Sequence, residues 1–184
     1  MSPRPEPVAY EIDAADRIEI PHRTGFGAFA AENGQPGLAD RVQGTPLWSH
    51  IRGTEVSAIY RALVKSCRLD RRPRAFPFRC DSPAAERHLT MRMWSPDGRR
   101  VEFSTQVERE IEREAVPLLD GTAPRDDRVI SMCAWYHAVA IGPAWAPLER
   151  AVEELGLFGA TPLPLISHGV CPDCVKSFAR LRPG

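Results

Sequence analysis

The chain has 184 residues, of which 43% are hydrophobic and 26% are charged, and its formal net charge is zero. This composition is typical of a soluble globular protein with one domain, or one domain and a small appendage, and it excludes a largely disordered chain. A neutral chain lacks the broad positive field that binds nucleic acid or anionic membranes, so neither partner is expected.

Targeting and membrane signals are missing from the sequence. The first residues, Met1 to Pro7, have no apolar segment of the kind found in secretory signals, and no run approaches the length of a spanning helix. We therefore expect a location in the reducing cytoplasm. The odd set of five cysteines is then expected to supply thiols or metal ligands rather than disulfides.

The first third of the chain predicts a tail, a strand and helices. Residues 1–15 are proline-rich and polar, which predicts a flexible tail. Residues 17–20 alternate polar and apolar side chains and predict a first strand, and residues 24–30 predict a short helix. The strongest helical pattern spans 54–67, with Thr54 as a candidate N-cap. Its apolar stripe consists of Val56, Ile59, Tyr60, Leu63, Val64 and Cys67.

The apolar period then changes from 3.6 to 2, which indicates strands. Residues 76–81, 88–94 and 101–105 each alternate, and Ser95-Pro96-Asp97-Gly98 is a hairpin turn signal between the last two runs. The sequence therefore predicts an α+β domain over 16–116, with an antiparallel sheet and flanking helices.

A second, smaller unit is expected at the C-terminal end. Residues 117–128 are rich in Pro, Gly, Asp and Arg and predict a linker, so the second unit spans 129–184. It should contain a helix over 147–157, and we expect Trp135 and Trp145 to form its small core. So small a core favours a stabilising metal ion.

The sharpest candidate site is a metal centre in this second unit. Cys171-Pro172-Asp173-Cys174 places two sulfurs on one side of a tight turn, at the spacing that tetrahedral zinc requires. Cys133 is a candidate third ligand, and either His137 or His168 would complete a Cys3His shell. A closed shell of this kind is structural. The alternatives are a thiol-redox pair formed by Cys171 and Cys174, and incidental thiols.

A polar cluster is a weaker candidate. Arg79, Asp81, Arg87 and His88 lie near the start of two predicted strands and are candidates for a ligand or partner surface, or else for paired charges on an exposed sheet face. The sequence has no GxGxxG, P-loop, GxSxG or HExxH motif and no obvious carboxylate pair, so we expect no enzymatic activity.

Residues 17–110 resemble a divergent PAS-type domain. The element order is strand, short helices, a longer helix and three antiparallel strands, and the segments match those of a group of bacterial PAS-like proteins. The matching segments are residues 26–33, Leu47-Trp48-Ser49-His50-Ile51, Phe78-Arg79-Cys80-Asp81-Ser82-Pro83 and Arg87-His88-Leu89-Thr90-Met91. Phe26 stands where tryptophan is usual in that group.

The C-terminal part is similar to a segment that follows PAS domains in bacterial sensor kinases and regulators. The segment has the pattern C-S-W-C, then W-x-x-L/I-E, then S-H-G-I-C-P-x-C, and here it reads Cys133 to Tyr136, Trp145 to Glu149 and Ser167 to Cys174. The pattern implies four cysteines, but Tyr136 replaces one of them. Either a histidine takes its place or the metal has been lost.

Together, these observations predict a non-catalytic PAS-like sensor or adaptor with a structural zinc site. The resemblance implies action through a protein partner such as a sensor kinase or a transcriptional regulator, or through homodimerisation. The resemblance also allows a small-molecule ligand or a haem in a PAS-like pocket. The sequence assigns neither, and no histidine is positioned clearly enough to be named as a haem ligand. The alternatives are a thiol-redox sensor and a nucleic-acid-binding zinc-knuckle regulator, the latter disfavoured by the neutral charge.

Overall fold

The computed structural model describes residues 7–21, 23–32 and 34–181. Within these ranges the chain forms nine strands, five α-helices and two short 3-10 turns, at Leu47–Ser49 and Pro117–Leu119. In chain order the strands and helices are β1 (Val8–Ile12), β2 (Ile18–Glu19), α1 (Arg23–Glu32), α2 (Leu38–Val42), α3 (Thr54–Asp70), β3 (Arg74–Arg79), β4 (Ala85–Trp94), β5 (Val101–Glu112), β6 (Arg125–Cys133), β7 (Val139–Ile141), β8 (Ala144–Ala146), α4 (Leu148–Glu154), β9 (Leu163–Gly169) and α5 (Pro172–Ala179). No helix in the described ranges is both long enough and apolar enough to cross a bilayer.

The first sheet has five antiparallel strands in the order β2-β1-β5-β4-β3. The predicted meander of three strands is present as β3, β4 and β5, and Asp97 forms the predicted turn by accepting hydrogen bonds from the backbone amides of Arg99 and Arg100, each at 2.8 Å. The tail prediction is corrected, because residues 8–12 form β1 and pair with β5. Val8, Tyr10 and Ile12 alternate with polar or small residues and turn the strand's apolar side toward the core.

Helix α3 packs against this sheet with the apolar stripe that the sequence predicts. The stripe is buried except for Tyr60, which is half-buried. The predicted N-cap is corrected by one position, since Gly53 precedes the first helical residue and has φ of 88°. A Cβ at Gly53 would lie only 2.9 Å from the carbonyl oxygen of His168, so glycine allows α3 to approach β9 closely.

The second sheet has four strands in the order β8-β7-β6-β9, and β6 and β9 run parallel. It begins inside the predicted linker, because β6 starts at Arg125. Helix α4 covers this sheet and packs with β6 and β7 around a second buried cluster. That cluster consists of Val116, Leu118, Met132, Val139, Leu148, Ala151, Val152, Leu157 and Leu163.

The main hydrophobic core crosses the predicted boundary between the two units. Trp135 and Phe178 belong to the same buried cluster as Met93 and Phe103 of the first sheet. The indole of Trp135 lies with ring centroids 5.5 Å from Tyr60 and 4.5 Å from Phe178. The expectation of a separate miniature core is therefore corrected, because Trp135 is buried against α3 and α5 together.

Candidate metal centre

The parallel pairing of β6 and β9 brings Cys133 close to the Cys171-Cys174 pair. Cys133 ends β6 and lies opposite Gly169, the last residue of β9. Because the carboxyl ends of neighbouring parallel strands meet at one sheet edge, the chain leaving β9 carries Cys171 and Cys174 past Cys133. Cys171 is the N-cap of α5 and Pro172 is its first residue, where proline needs no backbone donor.

The three sulfurs form a compact and buried group. They all lie within 4.8 Å of one another, and the Cys133 and Cys174 sulfurs are 3.5 Å apart. All three residues are buried, and none of them forms a disulfide. Three soft donor atoms in a confined space are the donor set that zinc and related ions prefer.

Backbone amides surround the sulfurs and favour their ionised form. The backbone amides of Cys171, Tyr136 and Trp135 help to lower the pKa of the Cys133 thiol, and the amide of Cys174 acts in the same direction on the pKa of Cys171. The turn after Cys133 is closed by hydrogen bonds from the His137 amide to the Cys133 carbonyl (3.0 Å) and from the Cys133 amide to the Ala138 carbonyl (2.7 Å). These backbone bonds hold the turn in one shape, which keeps the nearby amides where they stabilise negative charge on sulfur.

The pKa values of the three thiols diverge because they share this small space. The hydrogen bond with Cys174 and the amide donors lower the pKa of Cys133 to about 5. The same hydrogen bond and burial raise the pKa of Cys174, and burial raises that of Cys171. Cys133 is therefore the first of the three to become a thiolate, which is the form that binds metal.

Neither predicted histidine belongs to the sulfur group, so the Cys3His shell is corrected to three cysteines among the described residues. His137 has φ of 55°, and its Nδ1 atom lies 3.4 Å from an Asp81 oxygen rather than at the sulfurs. His168 lies on β9 with much of its surface exposed. Partial desolvation of its imidazole, together with the charges of His137 and Arg52, lowers its pKa. The contact with the Asp81 carboxylate thus directs the His137 ring away from the sulfurs.

Tyr136 lies where the resemblance implies a fourth cysteine. Its side chain is half-buried and packs against the main core. Burial raises the pKa of Tyr136, and the charges of Cys174, Cys171 and Cys133 raise it further. The phenol therefore lies within electrostatic reach of all three sulfurs.

A buried ionic network supports the turn that carries Cys133. Asp81 has a fully buried side chain, and one of its oxygens lies 2.5 Å from Arg79 and 3.2 Å from Arg113. Arg79 also contacts Glu149 of α4 at 2.9 Å, and Arg113 bonds the same carboxylate. The backbone amide of Arg79 donates to the Trp135 carbonyl at 2.6 Å, which joins β3 to the cysteine turn.

Electrostatics keeps Asp81 ionised. Burial alone would raise its pKa, but the nearby His137 imidazole and the hydrogen bonds from Arg79 and from the Arg87 amide outweigh burial and hold the pKa well below its usual range. Glu149 follows the same pattern, since its bond to Arg79 lowers its pKa against the effect of burial. The network is therefore charged at neutral pH.

The predicted partner surface is corrected in part by this network. Arg79 and Asp81 lie in the interior, while Arg87 and His88 lie nearer to solvent and are paired with Glu110 (2.8 Å) and Glu86 (2.5 Å). The sequence gives no local signal for the role of Arg113, because its partner Glu149 lies 36 residues away along the chain. The sequence draws attention to Glu149 only through the segment from Trp145 to Glu149, which matches part of the pattern that follows PAS domains.

Comparison with known proteins returned no relative. No protein-family model, curated protein or solved structure matches this chain.

Proposed function

We propose that this chain is a PAS-like regulatory protein that acts through protein contacts and holds a zinc ion with Cys133, Cys171 and Cys174. The element order from β1 to β5, with helices between β2 and a three-stranded meander, supports the PAS-like assignment. The implied partner is a sensor kinase or a transcriptional regulator, or a second copy of the chain.

The zinc assignment is based on the buried group of three sulfurs. A tetrahedral zinc ion with Zn–S bonds of about 2.3 Å places neighbouring sulfurs about 3.8 Å apart. The Cys133 and Cys174 sulfurs are 3.5 Å apart, close to that value. The amide donors at Cys133 and Cys171 add the support that thiolate ligands need.

The ion would act as a link between distant parts of the chain. Its ligands come from the end of β6, from the N-cap of α5 two residues after β9, and from the first turn of α5. Because the unfolded chain has no preformed site, the free energy of metal binding contributes to folding. The ion therefore fixes α5, with Phe178, against the main core. Such a site is structural, and the proposal assigns no catalytic step to it.

A thiol-redox sensor is the second candidate, and the same short sulfur distance favours it. Cys133 has the lowered pKa of a reactive cysteine and lies next to Cys174. The pair favoured by this distance is Cys133 with Cys174, rather than the Cys171 with Cys174 pair expected from the sequence.

Elemental analysis combined with thiol titration separates the two candidates. The zinc proposal predicts one zinc ion per chain and three thiols that react only after chelation. Cys80→Ser is a matched control, because Cys80 lies outside the sulfur group and its loss should leave the zinc content unchanged. Metal-free protein with a reversible disulfide between Cys133 and Cys174 would overturn the zinc proposal and support the redox sensor.

A further inference from the structure

The two cysteine turns have the same construction. In the second turn, the backbone amide of Val175 donates a hydrogen bond to the carbonyl of Cys171, four positions earlier, at 3.1 Å. In the first turn, the backbone amide of His137 donates to the carbonyl of Cys133, again four positions earlier, at 3.0 Å. The backbone therefore presents Cys174 and Tyr136 in equivalent positions, but only Cys174 supplies a sulfur.

Tyrosine cannot replace that sulfur geometrically. Its rigid ring carries the phenol oxygen several ångströms farther from Cα than a cysteine sulfur lies, so the phenol oxygen cannot take the position that a sulfur at residue 136 would occupy. Phenolate is also not among the usual ligands of zinc. Tyr136 is half-buried, whereas Cys133 and Cys174 are fully buried. Of these three residues, only Tyr136 therefore reaches the solvent.

The neighbouring side chains do not supply a fourth donor either. In the described ranges, the group of metal-ligating atoms contains three sulfurs and nothing else. Asp173 points into solvent, with its side chain 89% exposed, and lies 3.7 Å from Lys176. Asp81 is held by Arg79 and Arg113. An ion with three protein ligands keeps its fourth position for water or a substrate.

We propose that the metal ion bound by Cys133, Cys171 and Cys174 has an exchangeable fourth position beside Tyr136, and that this position receives a low-molecular-weight thiol. The inference rests on the proposed metal site and adds a ligand-binding role to its structural one. A soft ion with three thiolates accepts sulfur readily as its fourth ligand. On exchange, the bond from the metal to water breaks, a bond from the metal to the thiol sulfur forms, and the thiol proton passes to solvent. No electron is transferred.

Tyr136 supplies no ligand atom to the sulfur group. Replacing it by phenylalanine, which has no ligand atom either, should therefore leave the position open. Replacing it by cysteine should supply the missing sulfur from the equivalent backbone site and close the position. The proposal therefore predicts an open fourth position in Tyr136→Phe and a closed one in Tyr136→Cys.

Cobalt substitution tests the proposal without any assay of activity. The Co²⁺-loaded chain is titrated with 2-mercaptoethanol while its visible ligand-field and sulfur-to-cobalt absorption bands are recorded. The wild type and Tyr136→Phe should show a saturable spectral change with one thiol per cobalt. Tyr136→Cys should begin with the four-sulfur spectrum and remain unchanged during the titration.

Each other outcome contradicts a defined part of the argument. An unchanged wild-type spectrum, with sulfur-to-cobalt bands present, would show that the position is closed and would overturn the inference alone. A loss of a phenolate-to-cobalt band in Tyr136→Phe would show that Tyr136 is itself a ligand and would also overturn it. A chain that binds neither cobalt nor zinc would overturn the proposed function and this inference together.

Discussion

Replacing Trp135 by alanine tests whether the cysteine turn belongs to the main core. The indole is 1% exposed and lies between Tyr60 of α3 and Phe178 of α5, and Phe178 in turn meets Phe76 of β3 at 5.0 Å. Truncating a tryptophan buried in this way costs about 3–5 kcal/mol, because both the transfer free energy and the cavity contribute. That is a large fraction of the roughly 5–15 kcal/mol by which a domain is stable.

Urea unfolding followed by far-ultraviolet circular dichroism measures this cost. A shared core predicts one cooperative transition that moves as a whole to lower urea, with both sheets lost together. Trp94→Ala is the matched control, because Trp94 is 43% exposed at the end of β4 and its loss should cost within about 0.5 kcal/mol. The reasoning is refuted if Trp135→Ala leaves the main transition unchanged and unfolds only a C-terminal segment.

Three further predictions follow from single contacts. Gly53→Ala should destabilise the protein by about 1–3 kcal/mol in urea unfolding. The alanine would be strained at a φ of 88°, and its Cβ would lie 2.9 Å from the His168 carbonyl oxygen. Unchanged stability would contradict the close approach of α3 to β9. The folded-state pKa of Asp81 is depressed, so the stability from this carboxylate is present above about pH 4 and lost as the pH falls further. The unfolding free energy of Asp81→Asn should therefore fall less between pH 5 and pH 3 than that of the wild type, and equal slopes would argue against the buried ionic network. Removing zinc with a chelator should lower the urea midpoint of the wild type, and the same treatment should leave Cys174→Ser unaffected because that variant has already lost its metal.

Local patterns predicted the elements whose partners lie nearby in the chain. The stripe of α3 and the hairpin at Asp97 are present because helix period and turn residues act over a few positions. The approach of Cys133 to Cys171 and Cys174 also followed from residue type, since metal ligands are few and their spacing is characteristic.

The errors lie where distant segments meet. Strand β1 was assigned to a tail because its proline-rich surroundings outweighed the short alternation of Val8, Tyr10 and Ile12. The second sheet depends on parallel pairing of β6 with β9, which no local pattern encodes. The spacing of His137 from Cys133 predicts a metal ligand, whereas the contact with Asp81 orients its ring away from the sulfurs.

X-ray absorption at the zinc edge tests the central claim of a three-cysteine metal site most directly. For the zinc-loaded chain in thiol-free buffer, we predict three sulfur atoms at about 2.3 Å from zinc and one lighter atom at about 2.0–2.2 Å. A shell with no sulfur, or with fewer than three sulfur atoms, would contradict the assignment of Cys133, Cys171 and Cys174 as the ligands.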